Sequence, residues 1–238
     1  MFLRRLFSAN PAVAPTVARV APFVIFVLLT SAQGKFGPES AYWFYAAKTL
    51  VGVWLIWEMR PFVTEMRWAL SWEAVVVGVA VFAIWVGISR GWLLQNTLWV
   101  RLGISHTPTT PVTPWNPNLQ YGAGSALAWF FILTRILGST FVVPPLEEVF
   151  YRSFLYRYIA NHNFLTIPLN RFVPVPFAVA ALVFGAAHNE WAAGILCAMA
   201  YQWLVLRKNR LGDAMTAHAI TNCLLGIWVV WRGEWNFW

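Results

Sequence analysis

The sequence predicts an all-α protein, a polytopic transmembrane bundle of about eight helices. Three observations carry that expectation. Of the 238 residues, 59% are hydrophobic and only 11% charged, whereas a soluble domain carries about 25% charged residues because its surface must meet water. The hydrophobic residues fall into successive runs near the roughly 17–25 residues that cross a bilayer as a helix. Sixteen Trp and eighteen Phe suit a lipid-facing surface with indoles at headgroup level. In hydrocarbon the backbone groups must be bonded within their own segment, so the core is helix packed on helix.

The first run, Val17–Ala32, carries Pro22 as a kink. With arginines at 4, 5 and 19 it has the outline of a signal peptide, but the proline and the many later apolar segments favour a retained span. Ala41–Trp57 is the second run and Trp72–Ile88 the third. The connector between them, holding Glu58, Arg60, Glu65 and Arg67, reads as a solvated loop or interfacial turn. Trp92–Gly103 is too short to span comfortably and reads as an interfacial helix. It leads into Thr107-Pro-Thr-Thr-Pro-Val-Thr-Pro114 and Trp115-Asn-Pro-Asn118, an extended, proline-punctuated loop.

The fourth span is Gly122–Val143, ended by Pro144-Pro145. Pro145 suits the first turn of the next helix, Leu146–Ala160, where no backbone N–H is needed. Val173–His188 and Ala192–Leu206 follow, then a basic tetrad at 207–210, a last helix over Asp213–Trp231 and a Trp-rich tail to Trp238 that reads as an interface anchor. No internal repeat is present. The chain reads as one integral domain in two parts: residues 1–121 hold N-terminal transmembrane helices and the interfacial loop, and residues 122–238 a motif-bearing helical core. The tetrad and Arg4-Arg5 both belong on the cytoplasmic side. Eight full spans would part them, so one intervening element is not a full span.

A net charge of +8 would suggest nucleic acid in a soluble protein. Here the basic residues sit between apolar runs, where they set topology and meet anionic lipid, so the expected partner is the bilayer and not nucleic acid. Cys197 and Cys223 lie in apolar stretches without CxxC spacing and read as small buried hydrophobes. No cofactor or metal is called for.

Ionisable residues inside spans are costly and usually functional. Glu147 and Glu148 open a helix, with Arg152 four residues after Glu148. His188 closes an apolar helix four residues after Phe184, and His218 and Asn222 sit four apart in the last helix. Four-residue spacing puts two side chains on one helical face. Adjacent helical positions diverge by about 100°, so the two glutamates cannot face one spot. Glu148 pairs naturally with Arg152, which leaves Glu147 free to exchange a proton with water. Acids early in a helix and bases later favour any helix, and on the acids and the arginine alone that plain reading is slightly the better one. Two histidines and an asparagine in otherwise apolar helices tip the balance, because each needs a polar partner where hydrocarbon supplies none. Such a set holds the parts needed to activate water and stabilise an oxyanion.

The motifs Glu147-Glu148-Val-Phe-Tyr-Arg152, Phe184-Gly-Ala-Ala-His188 and His218-Ala-Ile-Thr-Asn222, in this order, resemble the EExxxR, FxxxH and HxxxN motifs of the type II CAAX prenyl endopeptidases and bacteriocin-processing (Abi, CPBP) intramembrane proteases. The resemblance covers roughly residues 122–231. It implies a glutamate-dependent, metal-independent endopeptidase acting on a membrane-associated protein or peptide, in a bacterial inner (plasma) membrane. By that analogy Glu147 with His188 activates a water, His218 and Asn222 donate to the oxyanion, and Glu148 and Arg152 orient the first two.

Other residues read more plainly. Glu190 is interfacial, with substrate binding the lesser alternative, Arg135 pairs with a polar interior group or snorkels, His106 and His162 are solvated, and Tyr151 and Tyr201 pack as aromatics, with lining the site the lesser alternative. Three other functions compete. A zinc hydrolase could use two histidines and a glutamate, but there is no HExxH and no usual ligand spacing. A non-enzymatic scaffold or immunity-type protein would keep the polar cluster for packing, although such contacts average about 0.6 kcal/mol in membranes. A transporter would be expected to show inverted repeats.

Overall fold

The structure, a computed structural model, describes residues 13–89, 95–104 and 114–238. Arg4, Arg5, Trp92, His106 and the Thr-Pro repeat through Val112 and Thr113 lie outside the described residues. Among the described residues every regular element is helical. These are α1 (Ala14–Ser31), α2 (Ser40–Met59), α3 (Trp72–Ile88), α4 (Gln95–Arg101), α5 (Pro117–Tyr121), α6 (Ala126–Phe141) and α7 (Val143–Glu148). A π-helix (Val149–Leu155) then leads into α8 (Tyr156–Ala160), α9 (Pro174–Ala186), α10 (Trp191–Lys208) and α11 (Gly212–Arg232).

Among the described residues three helical stretches are long and apolar enough to cross a membrane: Ala14–Ser31, Ala126–Ala160 and Gly212–Arg232. Trp72–Ile88 and Pro174–Ala186 are apolar but shorter. Large hydrophobic side chains face outward along the helices, Leu50 at 72% and Leu137 at 55% exposure among them, the reverse of a water-facing surface. This is a polytopic helical membrane protein.

The chain divides into two compact units. One comprises Met1–Arg67, Pro114–Phe150 and Asn222–Trp238, the other Trp68–Thr113 and Tyr151–Thr221. In the first, α1 packs on α2, and α2 on α6 and α7. Arg19 on α1 donates to both oxygens of Glu65, at 2.8 and 3.0 Å, with its side chain only 4% exposed. Glu58 lies within α2 at 1% exposure. Of the connector's charged residues, Arg60 and Arg67 are exposed, as a solvated loop or interfacial turn requires, while Glu58 is buried and Glu65 half-buried; a carboxylate beside apolar helices is kept by pairing it. Gly122 and Gly124 take φ of 87° and 76°, and this turn delays the fourth span to Ala126, where Ser125 caps the Ala128 N–H at 3.1 Å. Asn116 caps Asn118 N–H at 3.0 Å ahead of Pro117, so a short helix stands where an extended loop was expected.

In the second unit α10 packs on α3 and α9. Ser71 caps α3 through the Ala74 N–H, and Asn209, in the left-handed region at φ 51°, ends α10. The basic tetrad is more than a topology signal here. Lys208 donates to the buried Glu73 at 2.6 Å, and Arg210 pairs with Asp213. Neither cysteine forms a disulfide.

Candidate active site

In the second unit, α9 and α10 approach backbone to backbone at Gly185. A Cβ there would stand 2.7 Å from Trp191 O and 2.5 Å from Ile195 Cγ1. The chain turns just past Ala186, with His188 N–H donating to Gly185 O at 3.0 Å; His188 thus follows the helix and does not close it, because the turn bonds replace the helical ladder. Its Nδ1 lies 2.7 Å from Phe184 O. A carbonyl only accepts, so Nδ1 carries the hydrogen, and the neutral ring is left presenting the Nε2 lone pair.

Phe184, 1% exposed, gathers the polar groups of this unit. His188 stacks on its ring at 4.5 Å, His218 meets it at 6.4 Å, and the Arg152 guanidinium lies over it at 4.8 Å. Trp85 closes the other side of His188 at 5.4 Å. Tyr201 stacks on His218 at 5.2 Å, and its hydroxyl donates to Thr221 Oγ1 at 2.7 Å. Thr221 in turn donates to Gly78 O at 2.8 Å. The structure therefore brings Arg152, His188 and His218 around one ring.

Glu147, Glu148 and Asn222 belong to the first unit. The Pro144-Pro145 pair lies in the opening turns of α7, consistent with proline's lack of a donor. The two glutamates have different surroundings, as their angular offset requires: Glu148 is fully buried and Glu147 half-buried. Glu147 Oε2 is shielded from solvent and has no hydrogen-bond partner among the described residues. Lys48 is close enough for its charge to act on Glu147, while its ammonium donates to Thr30 Oγ1 at 3.0 Å. Asn222 Nδ2 donates to Ser139 O at 2.8 Å. That carbonyl is in the last turn of α6, where helical carbonyls lack intrahelical partners. One hydrogen of the Asn222 amide is thus engaged and the second remains a donor.

Directly after Glu148 the chain winds as a π-helix that contains Arg152. Such i→i+5 segments are rare and frequent at functional sites. Among the described residues no three His, Cys, Asp or Glu side chains are grouped to hold a metal ion.

Outside the spans, burial pushes the Glu190 carboxyl above its ordinary value, partly offset by a bond to its own backbone N–H and by His188. Among the described residues Arg135 has no acidic partner; it lies against the Tyr45 and Trp115 rings, so of its two expectations the polar pairing is not what the structure shows. Tyr201 was weighed only as a possible lining residue, and Trp85 and Ser139 had no signal in the sequence. The first two look like ordinary aromatics in apolar helices, and Ser139 acts through its backbone.

These features describe a helical membrane protein with a diacid, an arginine, two histidines and an asparagine set among apolar helices. Residues 124–224 match the family of type II CAAX prenyl endopeptidases, Rce1-like. The match supports a membrane protease. No curated protein and no solved structure matches the chain.

Proposed function

We propose that this protein is a glutamate-type intramembrane endopeptidase that hydrolyses a peptide bond of a membrane-associated protein or peptide. The observation that carries the reading is that the family match over residues 124–224 includes all six motif residues. In the proposed reaction Glu147 takes a proton from water while the water oxygen attacks the scissile carbonyl carbon. His188 assists through the bare Nε2 that its bond to Phe184 O leaves available. The resulting oxyanion receives hydrogen bonds from His218 and from the second N–H of Asn222. As the intermediate collapses, the C–N bond breaks, and the proton held by Glu147 passes to the leaving amine. Glu148 and Arg152 act as positioning residues. The proposed setting is a bacterial inner membrane.

The test compares purified wild type with Glu147→Gln on membrane proteins of the source cells, with peptide termini read by mass spectrometry. The expected result is termini found only with wild type, unchanged by strong chelators, while the variant keeps wild-type expression and thermal stability. Cleavage by Glu147→Gln at the wild-type rate would sink the assignment. Loss of cleavage on chelation would favour a metallohydrolase, and joint loss of folding and cleavage a structural role for Glu147.

A further inference from the structure

Arg135 on α6 presents a cation that the proposed chemistry does not use. Its guanidinium carbon lies 4.9 Å from the Tyr45 ring centroid, 4.5 Å from Trp115 and 5.3 Å from Trp238. The cage is itself braced. Tyr45 OH donates to the Arg135 carbonyl at 3.3 Å, and Trp115 Nε1 donates to Ala41 O at 3.2 Å. Trp115 also meets Trp238 edge to face at 5.5 Å and Tyr42 at 4.7 Å.

Aromatic faces attract the charge of a guanidinium but leave its N–H hydrogen-bonding capacity largely unspent. Among the described residues none of the five Arg135 donors has a hydrogen-bond or ion-pair partner, and the side chain is half-buried, so the donors can be reached. Deprotonation does not relieve the charge. The walls belong to the start of α2 (Ala41, Tyr45), the segment before α5 (Trp115) and the terminal turn (Trp238). Helix ends and connecting segments rich in indole mark the headgroup level of a bilayer, where the abundant oxyanion is lipid phosphate.

We propose that Arg135 and its aromatic cage form a binding site for the phosphodiester of an anionic phospholipid, held by two parallel N–H···O bonds from the guanidinium fork. The test uses delipidated protein in detergent, titrated separately with phosphatidylglycerol, phosphatidylcholine and inorganic phosphate. Binding is followed by native mass spectrometry and thermal shift for wild type, R135Q and R135K. Phosphatidylglycerol should bind wild type about ten-fold or more tightly than R135Q, as expected for losing a charge-assisted bidentate contact. R135K should recover only part of that difference because a point charge cannot reproduce the fork.

Equal phosphatidylglycerol affinity in wild type and R135Q overturns the proposal. So does an Arg135-dependent response to inorganic phosphate alone, or phosphatidylcholine bound as tightly as phosphatidylglycerol. If R135Q does not fold, R135K decides, since it keeps the charge: affinity equal to wild type overturns two-point recognition, and weakened affinity supports it. W238L, in a turn without buried residues, opens one wall and should weaken lipid binding with the fold intact; unchanged affinity in W238L counts against the cage.

Discussion

Replacing Gly78 by alanine probes the packing that positions His218. On α3 the added Cβ would stand 2.7 Å from Ala217 O and 2.9 Å from Ile220 Cβ, where comfortable carbon contacts are about 3.5–4.0 Å. One of the obstructing atoms is backbone, so no rotamer change relieves it, and α3 and α11 must part by roughly 0.5–1 Å. The same movement stretches the bond from Thr221 Oγ1 to Gly78 O, now 2.8 Å, and loosens Tyr201 under His218. Overpacking costs about 1–3 kcal/mol and the lost hydrogen bond about 0.5–1.5 kcal/mol. Alanine returns up to about 1 kcal/mol of helix propensity. The net is roughly 1–3 kcal/mol, or on the order of 5 °C in Tm for a chain of this size.

Gly87 supplies the control. It lies on the same helix and a Cβ there meets nothing within 4 Å, so Gly87→Ala should be neutral or slightly stabilising. Thermal unfolding of both variants in detergent gives the answer. If they melt within about 1 °C of each other, the close approach of α3 to α11 is wrong, and so is the account of what holds His218.

Phe184→Leu keeps most of the volume and should cost less than about 3 kcal/mol from repacking and lost ring pairs, yet displace His188 and Arg152. Peptide cleavage should fall by roughly 100-fold with the folded fraction unchanged; a loss matching only the unfolded fraction would show a packing role. Glu65→Ala removes the carboxylate to which the buried Arg19 donates and should destabilise, read by thermal unfolding, by more than the roughly 1 kcal/mol that an exposed pair contributes. Burial raises the Glu190 carboxyl above its ordinary pKa of 4.5. Its favourable contribution is therefore present below that value and lost as pH rises through the raised one. Glu190→Gln should gain stability relative to wild type across that rise, and parallel Tm–pH curves would contradict the assignment.

Much of the architecture was legible because hydrophobicity over a span is a local property. The run Ala41–Trp57 became Ser40–Met59, Trp72–Ile88 was recovered at both ends, and Pro144-Pro145 marked a helix start by its missing donors. The motif spacings likewise identified Glu147, Glu148, Arg152, His188, His218 and Asn222 as candidates, since an ionisable side chain in an apolar run is conspicuous by itself. The connector was legible only in part: Glu65 looks solvated until Arg19, forty-six residues earlier, is seen to pair with it.

The sequence alone determined the helical membrane class and the order of the polar motifs, because both depend on neighbours along the chain. Tertiary structure decided the hydrogen on His188 Nδ1, the grouping of Arg152, His188 and His218 around Phe184, the π-helix after Glu148 and the partner of Asn222. Backbone carbonyls and ring faces make most of these contacts. Every residue has the former and many apolar helices have the latter, so only packing selects which of them meets a given side chain.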